Sequence, residues 1–239
     1  MKEKMEQIYT IPINEAFEKS AEDPHAGCPF CAIRKSFEEN ELSLILGASM
    51  MEPDVRTRTN DLGFCGRHFK MMYDAGKRLP LALILQSHLD QVSKNLQGKR
   101  FVPTGITAKN TTTKLESLTE SCYICDRLDR NFSLVIDNAV YLFSTDPEFR
   151  TKCANQHKFC FPHYAMFLKA AKANLKGNEF SEFYKYMSAI QNNYIEELKA
   201  NIDFFVKKFD YRYEDEPWGD AKDAVERAIE ALEGGSPLD

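Results

Sequence analysis

One cysteine–histidine signature occurs twice in this chain at nearly the same spacing, and it restricts the possible folds more than any other feature. The first copy reads Cys28-Pro29-Phe30-Cys31, then Cys65-Gly66-Arg67-His68. The second reads Cys122-Tyr123-Ile124-Cys125, then Cys160-Phe161-Pro162-His163. Between the second and third cysteines lie 33 residues in the first copy (32 to 64) and 34 in the second (126 to 159). The first cysteines are 94 residues apart (122 minus 28) and the histidines 95 (163 minus 68). Seven cysteines and five histidines placed by chance would rarely repeat a four-point pattern so closely. The reading is an internal duplication, with a Cys3His set in each copy.

Zinc takes four ligands in a tetrahedron, and closed Cys3His shells are among its standard structural sites. A Cys-x-x-Cys step lets two sulfurs converge on one ion from a single turn. A Cys-x-x-His step on a helix puts its two side chains on one face, a turn apart. Each copy is therefore expected to close its own shell: Cys28, Cys31, Cys65 and His68 around one ion, and Cys122, Cys125, Cys160 and His163 around another. The insert exceeds the usual 15–20 residues of paired knuckles. A helix of about 16 residues would carry the chain roughly 24 Å out. A partly extended return of about 12 residues could bring it back.

The repetition reaches beyond the ligands. Pro53-Asp54-Val55-Arg56-Thr57 precedes the third cysteine of copy one, and Pro147-Glu148-Phe149-Arg150-Thr151 that of copy two. Proline followed by an acid is a helix-start signal, and the repeated Arg-Thr predicts a shared packing or hydrogen-bonding role. Aromatic residues flank the Cys-x-x-His step in both copies, Phe64 and Phe69 in one, Phe159 and Tyr164 in the other.

Apolar residues recur at helical spacing: Leu128, Phe132, Val135, Ala139 and Leu142 after Cys125, and Ile33, Phe37, Leu44, Ile45 and Ala48 after Cys31. Further runs are Leu81, Leu85, Leu89, Val92 and Leu96, and a run of about 30 residues from Phe180 to Phe209. With no strand-like alternation, the predicted fold is all-α, a tandem duplication of a helical unit built around a Cys3His site. Residues 1–97 form the first repeat and 115–213 the second, joined by a Thr-, Lys- and Gly-rich linker over 98–114. The tail, 214–239, holds the only tryptophan, Trp218, and a short helix through Ala221, Val225, Ile229 and Leu232, stopped by Gly234-Gly235. That helix is expected to pack on the body with Trp218 as its pin.

The amino terminus has no apolar signal-peptide core, and no stretch approaches 18 apolar residues. A cytoplasmic address follows as an expectation, in which paired cysteines are metal ligands rather than disulfides. A net charge of −5, with basic residues scattered among acids, argues against a nucleic-acid surface. Cys153, without a counterpart in copy one, reads as a structural or spare thiol. His25 and His157 fall at unrepeated positions and are not expected to ligate, and His88 reads as a satisfied buried histidine.

The opening Ile8-Tyr9-Thr10-Ile11-Pro12-Ile13-Asn14-Glu15-Ala16-Phe17, the Cys-Pro-Phe-Cys turn, Pro53-Asp54-Val55-Arg56, Phe209-Asp210-Tyr211-Arg212 and Glu216-Pro217-Trp218-Gly219 resemble a family of uncharacterised bacterial proteins over essentially the whole chain. Members of that family are sometimes labelled ABC transporter substrate-binding proteins. Such proteins are exported, and the start of this chain has neither an exported protein's apolar core nor a lipid-anchor cysteine. The resemblance implies the fold and no established activity.

Two function classes follow. The first is a non-enzymatic, zinc-stabilised helical protein with two Zn2+ per chain, serving as an intracellular protein-interaction or regulatory module with an unknown protein partner. Four protein ligands close the shell, whereas catalytic zinc keeps an open position. The alternative is redox or electron-transfer work with iron–sulfur clusters, or with oxidation-sensitive zinc, on the same ligands. A monomer is expected, with a homodimer through the aromatic 180–209 helix as the other outcome.

Overall fold

In the computed structural model, the described residues are 9–97 and 105–235. Among them the fold is all-helical. In chain order the helices are α1 Thr10–Glu22, α2 Pro29–Ile45, α3 Pro53–Leu62, α4 Gly66–Asp74, α5 Arg78–Gln97, α6 Gly105–Glu120, α7 Tyr123–Thr145, α8 Pro147–Ala154, α9 Phe161–Asn174, α10 Asn178–Lys207 and α11 Ala224–Glu233.

Local chemistry places several boundaries. Pro53 and Pro147 open α3 and α8 at the position where a missing N–H costs nothing. Asp146 caps α8 by accepting from the amides of Glu148 and Phe149. The repeated threonines do the same job in both helices: Thr57 Oγ1 donates to Pro53 O and Thr151 Oγ1 to Pro147 O, each at 3.0 Å. Gly63 ends α3 at φ +60°, a left-handed conformation in which a β-carbon would also lie 3.1 Å from the His88 ring. Glycine is therefore required there twice over.

The apolar periodicity of α7 holds, since Leu128, Phe132, Val135, Ala139 and Leu142 are all buried. On α2, Ile33 and Ile45 are buried, but Leu44 is exposed and Leu42 is buried instead. The span expected as a linker is helical from Gly105 onward, where α6 begins; 98–104 lie outside the described residues. The tail helix forms and stops at Gly234. Its buried face is small, however: Ala231 with Tyr194 and Leu198 makes a cluster against which Ala228 packs, while Leu232 points outward. Alanines let two helices approach closely. Trp218 packs on Phe205 with ring centroids 5.4 Å apart, and Lys208 sits over its ring.

Contacts divide the chain into two units, and the division does not follow the order of the repeats. One unit is continuous, Ser36–Asn131; the other is made of two segments, the chain up to Lys35 and Phe132 onward. The chain crosses from one to the other within α2 and returns within α7. The two-segment unit has an aromatic core. Phe17, Phe30, Phe132, Phe143, Phe149, Phe159, Phe167 and Phe183 are fully buried, with edge-on pairs such as Phe17–Phe30 at 5.2 Å and Phe167–Phe183 at 4.8 Å. The continuous unit has a mainly aliphatic core of Leu42, Ile45, Leu46, Met50, Met72, Leu81, Ile84, Ile124 and Leu128, with Phe64 and Tyr123 at its aromatic end.

Candidate metal centres

The four half-sites share one local design. Cys28 and Cys122 each precede the first residue of a helix, α2 and α7, so Cys31 and Cys125 fall in the first turn. Cys65 and Cys160 are the N-caps of α4 and α9, with matching backbone angles of −71°, 163° and −69°, 153°. His68 and His163 stand three residues on, one turn up the same face. Every half-site therefore sits at a helix N-terminus, where unpaired amides and the helix dipole favour negative charge such as a thiolate.

All eight residues singled out from the sequence gather into two Cys3His groups, but the partners are exchanged between the copies. Cys28 and Cys31 meet Cys160 and His163; Cys65 and His68 meet Cys122 and Cys125. Each group lies wholly within one unit. The expectation that each copy closes its own shell needed an extended return between α2 and Cys65. Those residues are instead helical, a single 3-10 turn at Ala48–Met51 followed by α3.

Within each group the four ligand atoms all lie within 4.8 Å of one another. In the Cys28 centre the separations are 3.6 Å from Cys31 Sγ to Cys160 Sγ, and 3.8, 3.3 and 3.1 Å from His163 Nδ1 to the sulfurs of Cys28, Cys31 and Cys160. In the Cys65 centre, Cys65 Sγ is 4.0 Å from Cys125 Sγ, and His68 Nδ1 lies 3.2, 3.2 and 3.5 Å from the sulfurs of Cys65, Cys122 and Cys125. A tetrahedral zinc with sulfurs at about 2.3 Å and nitrogen at about 2.0–2.1 Å sets neighbouring ligand atoms roughly 3.5–3.8 Å apart. The donor sets fit a single metal ion in number, type and spacing.

The surroundings of the centres differ. At the Cys28 centre, the His163 ring lies 4.8 Å from the Phe132 ring and 6.1 Å from that of Phe30. The tail reaches this centre: the Gly235 amide donates to Cys31 Sγ at 3.2 Å, and a β-carbon on Gly234 would lie 3.3 Å from Cys160 Sγ. At the Cys65 centre, His68 Nε2 lies 2.9 Å from Glu38 Oε1, and Arg67 donates to Glu38 Oε2 at 2.7 Å. Tyr123, inside the Cys-x-x-Cys turn, lies under the guanidinium groups of both Arg58 and Arg127. Arg127 pairs in turn with the buried Glu41 at 2.7 Å. Backbone joins the two half-sites as well, with the Tyr123 amide donating to Gly63 O at 3.0 Å and Ser121 Oγ to Leu62 O at 2.7 Å.

These environments drive the two histidines apart. Burial, with Arg34 nearby, pushes His163 down to about 4. Burial also acts against a charged His68, but hydrogen bonds to Cys122 and Glu38 outweigh it and hold that ring up at about 10. Cys28 is pushed up to about 12 by burial and by crowding against Cys160. For Cys122, burial is outweighed by the His68 hydrogen bond and by backbone amides, which bring the thiol down to about 6.

Glu38, Arg67 and the Gly234-Gly235 cap were not visible as site residues in the sequence. The first two could have been found by aligning the copies on their first cysteines; nothing in the sequence announces the third. Cys153 is fully buried and belongs to neither group, as a structural or spare thiol would be. Outside both groups too, His157 Nε2 lies 3.0 Å from Ala21 O, and His88 Nδ1 3.1 Å from Asn60 O.

A family model spans residues 1–239 of this chain, and its description is a family of unknown function (DUF6062). The chain belongs to that family. No curated protein and no solved structure matches it. Among the described residues, no helix is long and apolar enough to cross a membrane.

Proposed function

We propose that this protein is a non-enzymatic helical module held together by two structural zinc ions, acting through contact with a protein partner in a reducing compartment. The observation that carries the reading is the closed donor set. Each centre offers three thiols and one imidazole within 4.8 Å of one another, and such a shell leaves no position for water or substrate. With three thiolates around a +2 ion the centre carries a net charge of about −1, which weakens any acidification of water. A cluster of several irons is wider than one ion and would hold its ligands further apart, which favours zinc over the iron–sulfur alternative.

A bound zinc ion would supply a strong tie between two helix N-termini that are remote in sequence. In the Cys28 centre the joined cysteines, 31 and 160, are 129 residues apart. In zinc-finger peptides such a tie is worth about 10–16 kcal/mol apparent. Here each unit also buries a core, so the ion reinforces a fold rather than creating it. The test is elemental analysis and visible absorption of anaerobically purified protein. Two zinc per chain in a colourless sample is the expected result. A brown, iron-containing sample would transfer the reading to electron transfer, and a sample that binds no metal would end it.

A further inference from the structure

Counting ten residues from the first cysteine of each Cys-x-x-Cys turn reaches Glu38 in the first copy (28 plus 10) and Phe132 in the second (122 plus 10). Each of these residues contacts the histidine of its own copy, Glu38 on His68 and Phe132 on His163. The residue just before each histidine has changed along with it, Arg67 in one copy and Pro162 in the other. Arg67 is the residue that bonds the second oxygen of Glu38. A carboxylate and its arginine thus occur together at one centre, and both are replaced by apolar residues at the other.

We infer that Glu38 is the positioning residue of the Cys65 centre, which makes the two metal centres chemically unequal. Its Oε1 accepts from the Nε2–H of His68, which leaves Nδ1 unprotonated and aimed at the three sulfurs. Glu38 is buried and His68 almost fully so, so water does not compete for that bond. Arg67 Nη2 on the other carboxylate oxygen fixes the plane of the carboxylate and hence of the ring. At the Cys28 centre the corresponding phenyl ring restrains His163 by packing alone and offers no acceptor. The Cys65 centre is therefore built for retention of its ion under protonation or competition, and Glu38 is the residue that confers this. The inference rests on the reading of both groups as metal centres.

The test is competition for zinc between the full-length protein and a chromophoric chelator, together with nitrogen-15 NMR of the imidazole rings. Glu38→Gln keeps the shape and removes the charge. It is expected to weaken one of the two ions 10–100-fold, leave the other unchanged, and broaden the His68 Nε2 proton signal by exchange. Arg67→Ala removes a side chain that is 69% exposed, so folding is spared; it should weaken the same ion by a smaller factor. Phe132→Leu should leave that ion alone. Two tightly bound ions with unchanged affinities in Glu38→Gln, or equal weakening of both, would overturn the inference while leaving the metal reading intact. If Glu38→Gln does not fold, unchanged affinity in Arg67→Ala overturns it instead. A wild-type protein that takes up no zinc overturns both.

Discussion

The two candidate metal centres offer the same donor set on the same kind of helix end, yet they are embedded in opposite surroundings. The Cys28 centre is backed by phenylalanine rings and covered by a glycine amide. The Cys65 centre is backed by a carboxylate, an arginine and a tyrosine in contact with two guanidinium groups. Loop length does not separate them. The cysteine pairs they join, 31 with 160 and 65 with 125, lie 129 and 60 residues apart, a difference worth only about 0.7 kcal/mol of closure entropy. Donor type and helix position are common to both groups, and what differs is the set of residues packed around each histidine ring.

The largest effect expected from this contrast appears on chelation. The two-segment unit keeps eight buried phenylalanines without any ion, whereas the continuous unit is smaller and relies on an aliphatic core. A strong chelator should lower the melting temperature substantially and leave some helix, and unfolding should occur in two steps. Trp218, the only tryptophan, lies in the two-segment unit. Its fluorescence should change after the first loss of circular dichroism. A single coincident transition would show that the two cores do not differ in their dependence on metal.

A second contrast sets packing against ligation. Phe17 touches Phe30, Phe149, Phe159 and Phe167, and Phe17→Ala should cost about 3–5 kcal/mol by leaving a cavity. The zinc at the Cys65 centre should be unaffected, since that centre belongs to the other unit. Loss of that ion from the folded variant would mean that the units are not separable in this sense.

The histidines give the chelated protein opposite pH behaviour. His163 is held down at about 4, so its neutral form belongs to the fold, and the stability it contributes is lost as pH falls from about 6.5 through 4. His68 is held up at about 10; its contribution is present below about 6.5 and lost as pH rises through 10. Acid should therefore lower the Trp218-reported transition first, and alkali should act on the other transition through His68. The same order in both directions would contradict the contrast.

The smallest effect concerns the cap. Gly234 has φ +76°, and its added β-carbon would press on Cys160 Sγ. Gly234→Ala should cost about 1–2 kcal/mol and speed zinc exchange at the Cys28 centre alone. Equal acceleration at both centres would remove the tail from the account.

The residues of the two Cys3His groups and most helices were legible in the sequence for physical reasons. A Cys-x-x-Cys or Cys-x-x-His step is short enough to fix its own geometry, and the 180–209 run has a period that only a helix satisfies; α10, Asn178–Lys207, takes up all of it but the last two residues. The partnership between half-sites was not legible. The four half-sites form two interchangeable pairs, so spacing alone cannot say which Cys-x-x-Cys meets which Cys-x-x-His. Between α2 and Cys65 the chain forms a 3-10 turn at Ala48–Met51 and α3 rather than the extended return expected. On α11, the periodicity of large residues pointed to Leu232, but the helix buries alanines, because close approach to Tyr194 and Leu198 selects small side chains.

The exchanged pairing is the central claim, and cadmium-113 NMR of the cadmium-substituted protein tests it most directly, because proton–cadmium couplings report which side chains bind each ion. The structure predicts one cadmium coupled to Cys28, Cys31, Cys160 and His163, and a second coupled to Cys65, His68, Cys122 and Cys125. A cadmium coupled to Cys28, Cys31 and Cys65 together would contradict it.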